Sequence, residues 1–131
     1  FHREAVARQA GLMAEIAAAY HIVETTRDHL VQELAALTVG SYGLPPDVEA
    51  DLRRTVVDRA DLLLELADSA VAARVELEAV NDRLDRHVRT HLPCVRGLRF
   101  GCTGWKALVT SRNKLERRCA HAYRALLEGR R

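Results

Sequence analysis

The feature that most limits the fold of this chain is an apolar periodicity between Asp47 and Leu92. No proline interrupts this stretch, and apolar side chains recur in alternating steps of three and four, the spacing of one helix face. The seam consists of Leu52, Val56, Leu63, Leu66, Ala70, Ala73, Leu77, Val80 and Leu84. The pattern predicts one unbroken helix over residues 47–92, about 69 Å long at 1.5 Å per residue.

A second helix is predicted before it, over residues 2–38. Its seam consists of Val6, Met13, Ile16, Tyr20, Val23, Leu30, Leu34 and Leu37. Residues 40–46 contain two glycines and two prolines, which end one helix and start the next. So short a connection predicts an antiparallel hairpin, in which Ile16 faces Ala70 and Met13 faces Ala73.

A third helix is predicted over residues 104–128, after a basic connector at 93–103 that begins with Pro93. We expect Thr103 to cap this helix. The predicted fold class is therefore all-α: an elongated, coiled-coil-like antiparallel hairpin, completed to a three-helix bundle by the shorter C-terminal helix. All 131 residues form one helical domain in this interpretation. Because the first residue is Phe1, we expect a fragment of a longer protein.

The central helix carries more apolar surface than its own chain can cover. Folded back from Pro93, the third helix reaches only to about residue 67, so the far end of the hairpin has two helices. The residues expected to form a partner interface there are Val57, Ala60, Leu62, Leu64, Ala67 and Val71. We therefore expect a non-enzymatic module for protein–protein interaction and oligomerisation, a scaffold or assembly element that forms a homodimer or joins a larger complex.

Charge is divided unevenly along the chain. Residues 1–92 carry 10 basic and 16 acidic side chains, whereas residues 93–131 carry 10 basic and 2 acidic ones. One interpretation is that the basic helix packs on an acidic face formed by Glu78, Asp82 and Asp85. The alternative is a nucleic-acid or anion site beside Phe100 and Trp105. Its candidate contacts are Arg96, Arg99, Lys106, Arg112, Lys114, Arg117 and Arg118.

Four side chains that bind zinc in other proteins lie close together in the sequence: His87, His91, Cys94 and Cys102. Their spacing matches none of the common zinc signatures. We therefore expect no metal and no cofactor, and interpret the histidines as polar seam residues and the cysteines as small apolar packing residues. A zinc site stays open as the alternative.

Several classes of protein are disfavoured by what the sequence does not contain. There is no P-loop, no G-x-G-x-x-G and no G-x-S-x-G, and no histidine follows a glutamate three residues earlier, as di-iron bundles require. We therefore expect no enzymatic activity. No apolar run approaches the roughly 20 residues that span a bilayer. An odd number of cysteines favours a reducing, intracellular location, cytoplasmic or nuclear.

Overall fold

A computed structural model describes residues 2–40 and 44–130 of the chain. Helix α1 spans His2–Gly40, α2 spans Pro46–Thr90, the short α3 spans Leu92–Val95 and α4 spans Thr103–Gly129, with a single 3-10 turn at Arg99–Gly101. These ranges contain no strand. The predicted all-α class is therefore confirmed, and the long helices pack together.

The start of α2 follows from its proline and acidic residues. Pro46 is the first helical residue, where its missing N–H is not needed, and Pro45 before it is extended (φ −52°, ψ 140°). Asp47 and Glu49 stand in the first turn, where the helix dipole favours negative charge. Residues 41–43 of the predicted turn lie outside the described residues.

The prediction of one unbroken helix to Leu92 is wrong at its C-terminal end. Helix α2 ends at Thr90, His91 is extended (φ −81°, ψ 114°), and α3 begins at Leu92. The cause is Pro93, which lacks an N–H for the helix and whose ring would clash with the carbonyl group of Arg89. The connector between the long helices therefore contains a helical turn of its own.

Helix α2 packs against both α1 and α4. Side chains from all three helices meet in one core cluster, which consists of Ala19, Val23, Leu63, Ala67 and Leu126. Six predicted seam residues of α2 are buried, namely Leu63, Ala70, Ala73, Leu77, Val80 and Leu84. The period-based assignment therefore agrees with the structure at these six positions, whereas the seam residue Leu66 is half-buried and Ala67, predicted for the partner interface, is buried.

Polar contacts between α1 and α2 join early residues of α1 to late residues of α2. Tyr20 donates a hydrogen bond to Asp68, Arg74 pairs with Glu15, and Arg8 pairs with three acidic residues near the end of α2. The earlier a residue lies in α1, the later its partner lies in α2.

The predicted seam of α1 is displaced in its first half. Val6 and Met13 are exposed, whereas Leu12 and Ala19 are buried. Ala19 lies in the core cluster, where its small side chain allows a close approach to α2. The error is one of register, because the same three-four steps also run from Leu12 through Ile16 and Ala19 to Val23. The side chain of Leu37 lies outside what the structure describes.

Candidate functional site

The corner between α2 and α4 brings together the four histidine and cysteine side chains. His87 lies in the last turn of α2, His91 immediately after it, Cys94 in α3, and Cys102 just before α4. One nitrogen or sulfur atom from each residue lies within 4.8 Å of the corresponding atom of every other. In the described part of the chain, this is the one cluster of at least three His, Cys, Asp or Glu side chains able to hold a metal ion.

Cys102 occupies the centre of this cluster. Its Sγ atom lies 3.1 Å from Nε2 of His87 and 3.5 Å from Nδ1 of His91. The two imidazole rings stack with their centroids 4.6 Å apart. Both cysteines are buried and unpaired by any disulfide, while both histidines are half-buried. Burial, followed by a hydrogen bond with Cys102, raises the pKa of the Cys94 thiol.

Backbone hydrogen bonds turn the connector so that Cys102 returns to α2. Gly97 adopts a left-handed conformation with φ of 79°, which few residues other than glycine adopt without strain. The N–H of Gly97 donates to the carbonyl oxygen of Cys94 (3.1 Å), and the N–H of Leu98 donates to that of Pro93 (2.7 Å). The turn reverses the chain soon after Cys94.

The start of α4 is fixed by Cys102 rather than by Thr103, which corrects the predicted cap. The Sγ atom of Cys102 accepts a hydrogen bond from the backbone N–H of Trp105 at 3.4 Å, and Thr103 is the first residue of the helix. Gly104 follows, and a Cβ atom there would lie 3.0 Å from Cε1 of His87. A side chain at position 104 would therefore push the imidazole ring by a few tenths of an ångström.

The acidic residues Glu78, Asp82 and Asp85 of α2 pair with Arg8 of α1, whereas Arg118 of the basic helix α4 pairs with Glu76. Arg8 lies 3.6 Å from Glu78 and 3.2 Å from Asp82, and it also donates a hydrogen bond to Asp85. Arg74 adds a contact with Glu78 at 3.4 Å. Sequence reasoning missed Arg8 because an apolar seam search discards a charged residue. The available signal was its position one turn before Leu12.

The seven basic residues considered for nucleic acid differ in exposure and in ion pairing. Arg112 is half-buried beside Glu116, and Arg118 is exposed but pairs with Glu76 at 3.3 Å. The other five are also exposed, namely Arg96, Arg99, Lys106, Lys114 and Arg117.

An aromatic ring stands at the surface of the connector. Phe100 is 92% exposed, and Nζ of Lys106 lies 5.5 Å from the centre of its ring. Trp105, by contrast, is half-buried. The connector also exposes Leu92, Val95 and Leu98, so apolar and basic groups share its surface.

The six residues expected at a partner interface divide into three groups. Val57 and Leu64 are exposed, and Ala60 between them is half-buried on the same face of α2. Leu62 is also exposed, but it lies about 160° around the helix from Leu64 and so on the opposite flank. Ala67 is fully buried in the core cluster and Val71 packs against that cluster. The face that a partner helix can reach is therefore Val57, Ala60 and Leu64.

The hairpin seam is incompletely covered at the same end of α2. Leu30 in α1 and Leu52 and Val56 in α2 are half-buried, although all three occupy seam positions. The first completely buried residue of α2 is Leu63, at the level where the end of α4 arrives. The seam residues of α2 are therefore buried where α4 packs beside them and half-buried where it does not.

Comparison with known protein families, with curated proteins and with solved structures found no match to this chain. Over residues 2–40 and 44–130, no helix has both the length and the apolar character needed to cross a membrane.

Proposed function

We propose that this chain is a non-enzymatic protein–protein interaction module that associates with a second copy of itself. The observation that carries the proposal is the apolar face of Val57, Ala60 and Leu64, next to a hairpin seam that stays half-buried. The role is that of an assembly element in an intracellular setting.

The packing of the hairpin end supports a helical partner. Two helices alone bury too little apolar surface to hold each other well, whereas a further helix packed across their seam encloses a core. In the proposed architecture, α4 completes the hairpin to three helices beside the second half of α2. A second copy supplies the missing cover beside the first half.

Charge favours one orientation of that second copy. Residues 44–68 carry seven acidic and three basic side chains, so two hairpin ends placed side by side would repel each other. The strongly basic segment 93–131 of one copy is attracted to the acidic hairpin end of the other. A two-fold arrangement makes this contact twice. Association is therefore expected to weaken as salt is added.

The test is a charge placed in the proposed interface, compared with the same change three turns away. Leu64 and Val75 lie on the same face of α2 and are 43% and 47% exposed. Leu64→Glu is expected to abolish association measured by light scattering over a concentration series, with helical circular dichroism retained. Val75→Glu is expected to leave association unchanged. A wild-type chain that stays monomeric at every concentration, or a Leu64→Glu chain that still associates, contradicts the proposal.

Binding of single-stranded nucleic acid by the connector is a second candidate function. It is favoured by the exposure of Phe100, since a bare aromatic ring flanked by Arg99 and Lys106 can stack a base while the cations meet phosphates. Oligonucleotide affinity should then fall steeply with salt and fall further in Phe100→Ala. Absence of binding at low salt removes this candidate.

A further inference from the structure

We propose that His87, His91, Cys94 and Cys102 bind one Zn²⁺ ion as a structural site that fixes the corner between α2 and α4. The proposal rests on the convergence of four zinc-competent side chains from the end of α2, from α3 and from the residue that caps α4. It does not depend on self-association, because all four ligands come from one chain.

The distances between the ligand atoms agree with tetrahedral zinc. Bonds of about 2.3 Å to sulfur and 2.0–2.1 Å to nitrogen place neighbouring ligand atoms about 3.3–3.8 Å apart. Sγ of Cys102 lies 3.1 Å from Nε2 of His87 and 3.5 Å from Nδ1 of His91. All four ligand atoms lie within 4.8 Å of one another. An ion at their centre therefore requires only small side-chain rotations.

The donor set selects zinc among the common metals. Two thiolates and two imidazoles in a tetrahedral arrangement suit Zn²⁺, whereas Mg²⁺ and Ca²⁺ prefer oxygen ligands. A two-iron cluster with the same ligands would hold the histidines and the cysteines on different iron atoms. Here Sγ of Cys102 is in contact with both imidazoles, so the ligands surround one ion. Four protein ligands leave no open position for substrate, which makes the site structural rather than catalytic.

The surroundings of the cluster are arranged to hold these ligands in place. The N–H of Trp105 donates to Sγ of Cys102, a hydrogen bond that stabilises a thiolate. Gly97 supplies the left-handed turn between the two cysteines, and Gly104 leaves room for the His87 ring. Burial of both cysteines keeps competing water away from the sulfur atoms.

Zinc bound here has a mechanical consequence. It ties the last turn of α2 to the residue that caps α4 and so sets the angle at which α4 returns along α2. The buried Leu126 near the far end of α4 then meets Leu63. It also holds the connector that carries the exposed ring of Phe100.

The first measurement is the metal content of the chain, purified under reducing conditions without chelator and without a histidine tag. About one zinc ion per chain is expected. Cobalt(II) added to the metal-free chain should give the absorption of a tetrahedral thiolate complex, displaced by one equivalent of zinc. When the free zinc concentration is about 1,000-fold above Kd, removing the zinc should lower Tm by on the order of 10 °C.

Variants separate this cluster from other metal-binding groups in the chain. Cys102→Ser and His87→Asn are expected to weaken zinc binding by more than about 100-fold, since even second-shell changes cost 10- to 100-fold. Cys119→Ser and His121→Asn make the same kinds of change on α4, outside the cluster. Both are expected to bind zinc like the wild type. In the wild type, zinc should protect Cys94 and Cys102 from alkylation and leave Cys119 unprotected.

A glycine pair tests the site without altering a ligand. A methyl group at position 104 would press on the His87 ring, whereas nothing lies within 4 Å of one at position 11. Gly104→Ala should therefore weaken zinc binding by about tenfold while the chain stays helical. Gly11→Ala should leave zinc binding unchanged.

Four results would overturn the proposal. They are a wild-type chain that takes up no zinc when reduced, a six-coordinate cobalt spectrum, a disulfide between Cys94 and Cys102 that persists under reducing conditions, and unaltered zinc binding after Cys94 and Cys102 are both replaced by serine. The cobalt spectrum and the alkylation pattern come from the wild type, so they decide the matter even where a variant does not fold.

Discussion

The two ends of α2 differ in how much of the chain covers them. At the end near Thr90, α1 supplies Arg8, α4 packs alongside, and the cluster centred on Cys102 ties the corner together. At the end near Pro46, α2 extends beyond the last residue of α4, Gly129, which lies beside Leu63 and Leu66, and the seam residue Val56 is half-buried. One continuous helix with one apolar period thus serves a core at one end and a surface at the other.

The difference teaches that the apolar period alone does not tell a core from an interface. Leu63 is completely buried and the neighbouring Leu64 is 43% exposed. The two side chains point about 100° apart on the helix. Leu63 is the one that is covered because the last residue of α4, Gly129, arrives beside Leu63 and Leu66.

The largest expected effect comes from removing a side chain of α2 beside the end of α4, where burial begins. Leu63→Ala leaves a cavity in the core cluster and should lower the free energy of unfolding by about 2–5 kcal/mol. Leu62→Ala, the same change one residue earlier where the side chain is 52% exposed, should cost less than about 0.5 kcal/mol. Urea denaturation of both variants measures the contrast. Equal losses would mean that the two leucines are equally buried in solution.

A smaller effect is expected from the ion pairs. Arg8→Met removes the cation beside the buried Glu78 and should cost about 1–2 kcal/mol, between the values for exposed and buried pairs. Arg53→Met at the other end breaks an exposed pair with Glu49 and should cost under about 0.5 kcal/mol. Thermal unfolding in low salt gives both values. A larger loss of unfolding free energy for Arg53→Met than for Arg8→Met would mean that the end near Pro46 is the better covered of the two.

Two glycine substitutions sharpen the comparison because opposite signs are expected. A Cβ atom at position 129 would lie 2.8 Å from Cδ1 of Leu66 and 3.3 Å from Cδ2 of Leu63. Since Leu63 is fully buried, Gly129→Ala should destabilise the chain by about 1 kcal/mol. Gly11→Ala meets nothing within 4 Å and should stabilise α1 by about 0.5–1 kcal/mol. Stabilisation by both changes would mean that α4 does not reach Leu63.

The smallest effect concerns the boundary between the two ends, where Tyr20 donates a 2.8 Å hydrogen bond to Asp68. That bond, followed by burial, raises the pKa of Tyr20. Its stabilising contribution is complete below the ordinary tyrosine pKa of about 10 and is lost as the pH rises through the raised value.

Tyr20→Phe should therefore cost under about 1 kcal/mol at neutral pH and remove part of the loss of stability in alkali. The check is the unfolding free energy of both chains from neutral pH to pH values above the ordinary tyrosine pKa. Identical alkaline profiles would show that the hydrogen bond is absent in solution.

Local signals explain which parts of the fold were predictable. The buried face of α2 beyond Leu63 and the start of the helix at Pro46 follow from period and from proline geometry, which depend on neighbouring residues alone. Arg8 and Ala19 were missed because their burial comes from a partner helix, namely from acidic groups and close approach on α2. The spacing of apolar residues along α1 carries no information about which groups of α2 it meets.

The histidine and cysteine cluster was predictable in composition but not in geometry. His87 and His91, four residues apart, were expected to share a helix face, and the structure shows that His91 instead follows the end of α2. The return of Cys102 to them depends on α3 and on the left-handed Gly97, neither of which the spacing of cysteines reveals. The expectation of no metal rested only on how the four residues are spaced in the sequence. Because the connector folds back on itself, that spacing does not indicate which side chains come together.

The corner at Pro93 also bears on the order in which the chain folds. All four clustered side chains come from one short stretch of sequence, so the loop that joins them costs little entropy to close. The contact of Arg8 with Asp85, by comparison, joins residues 77 positions apart. Local contacts form sooner than distant ones, so the corner between α2 and α4 should form before Arg8 reaches Asp85.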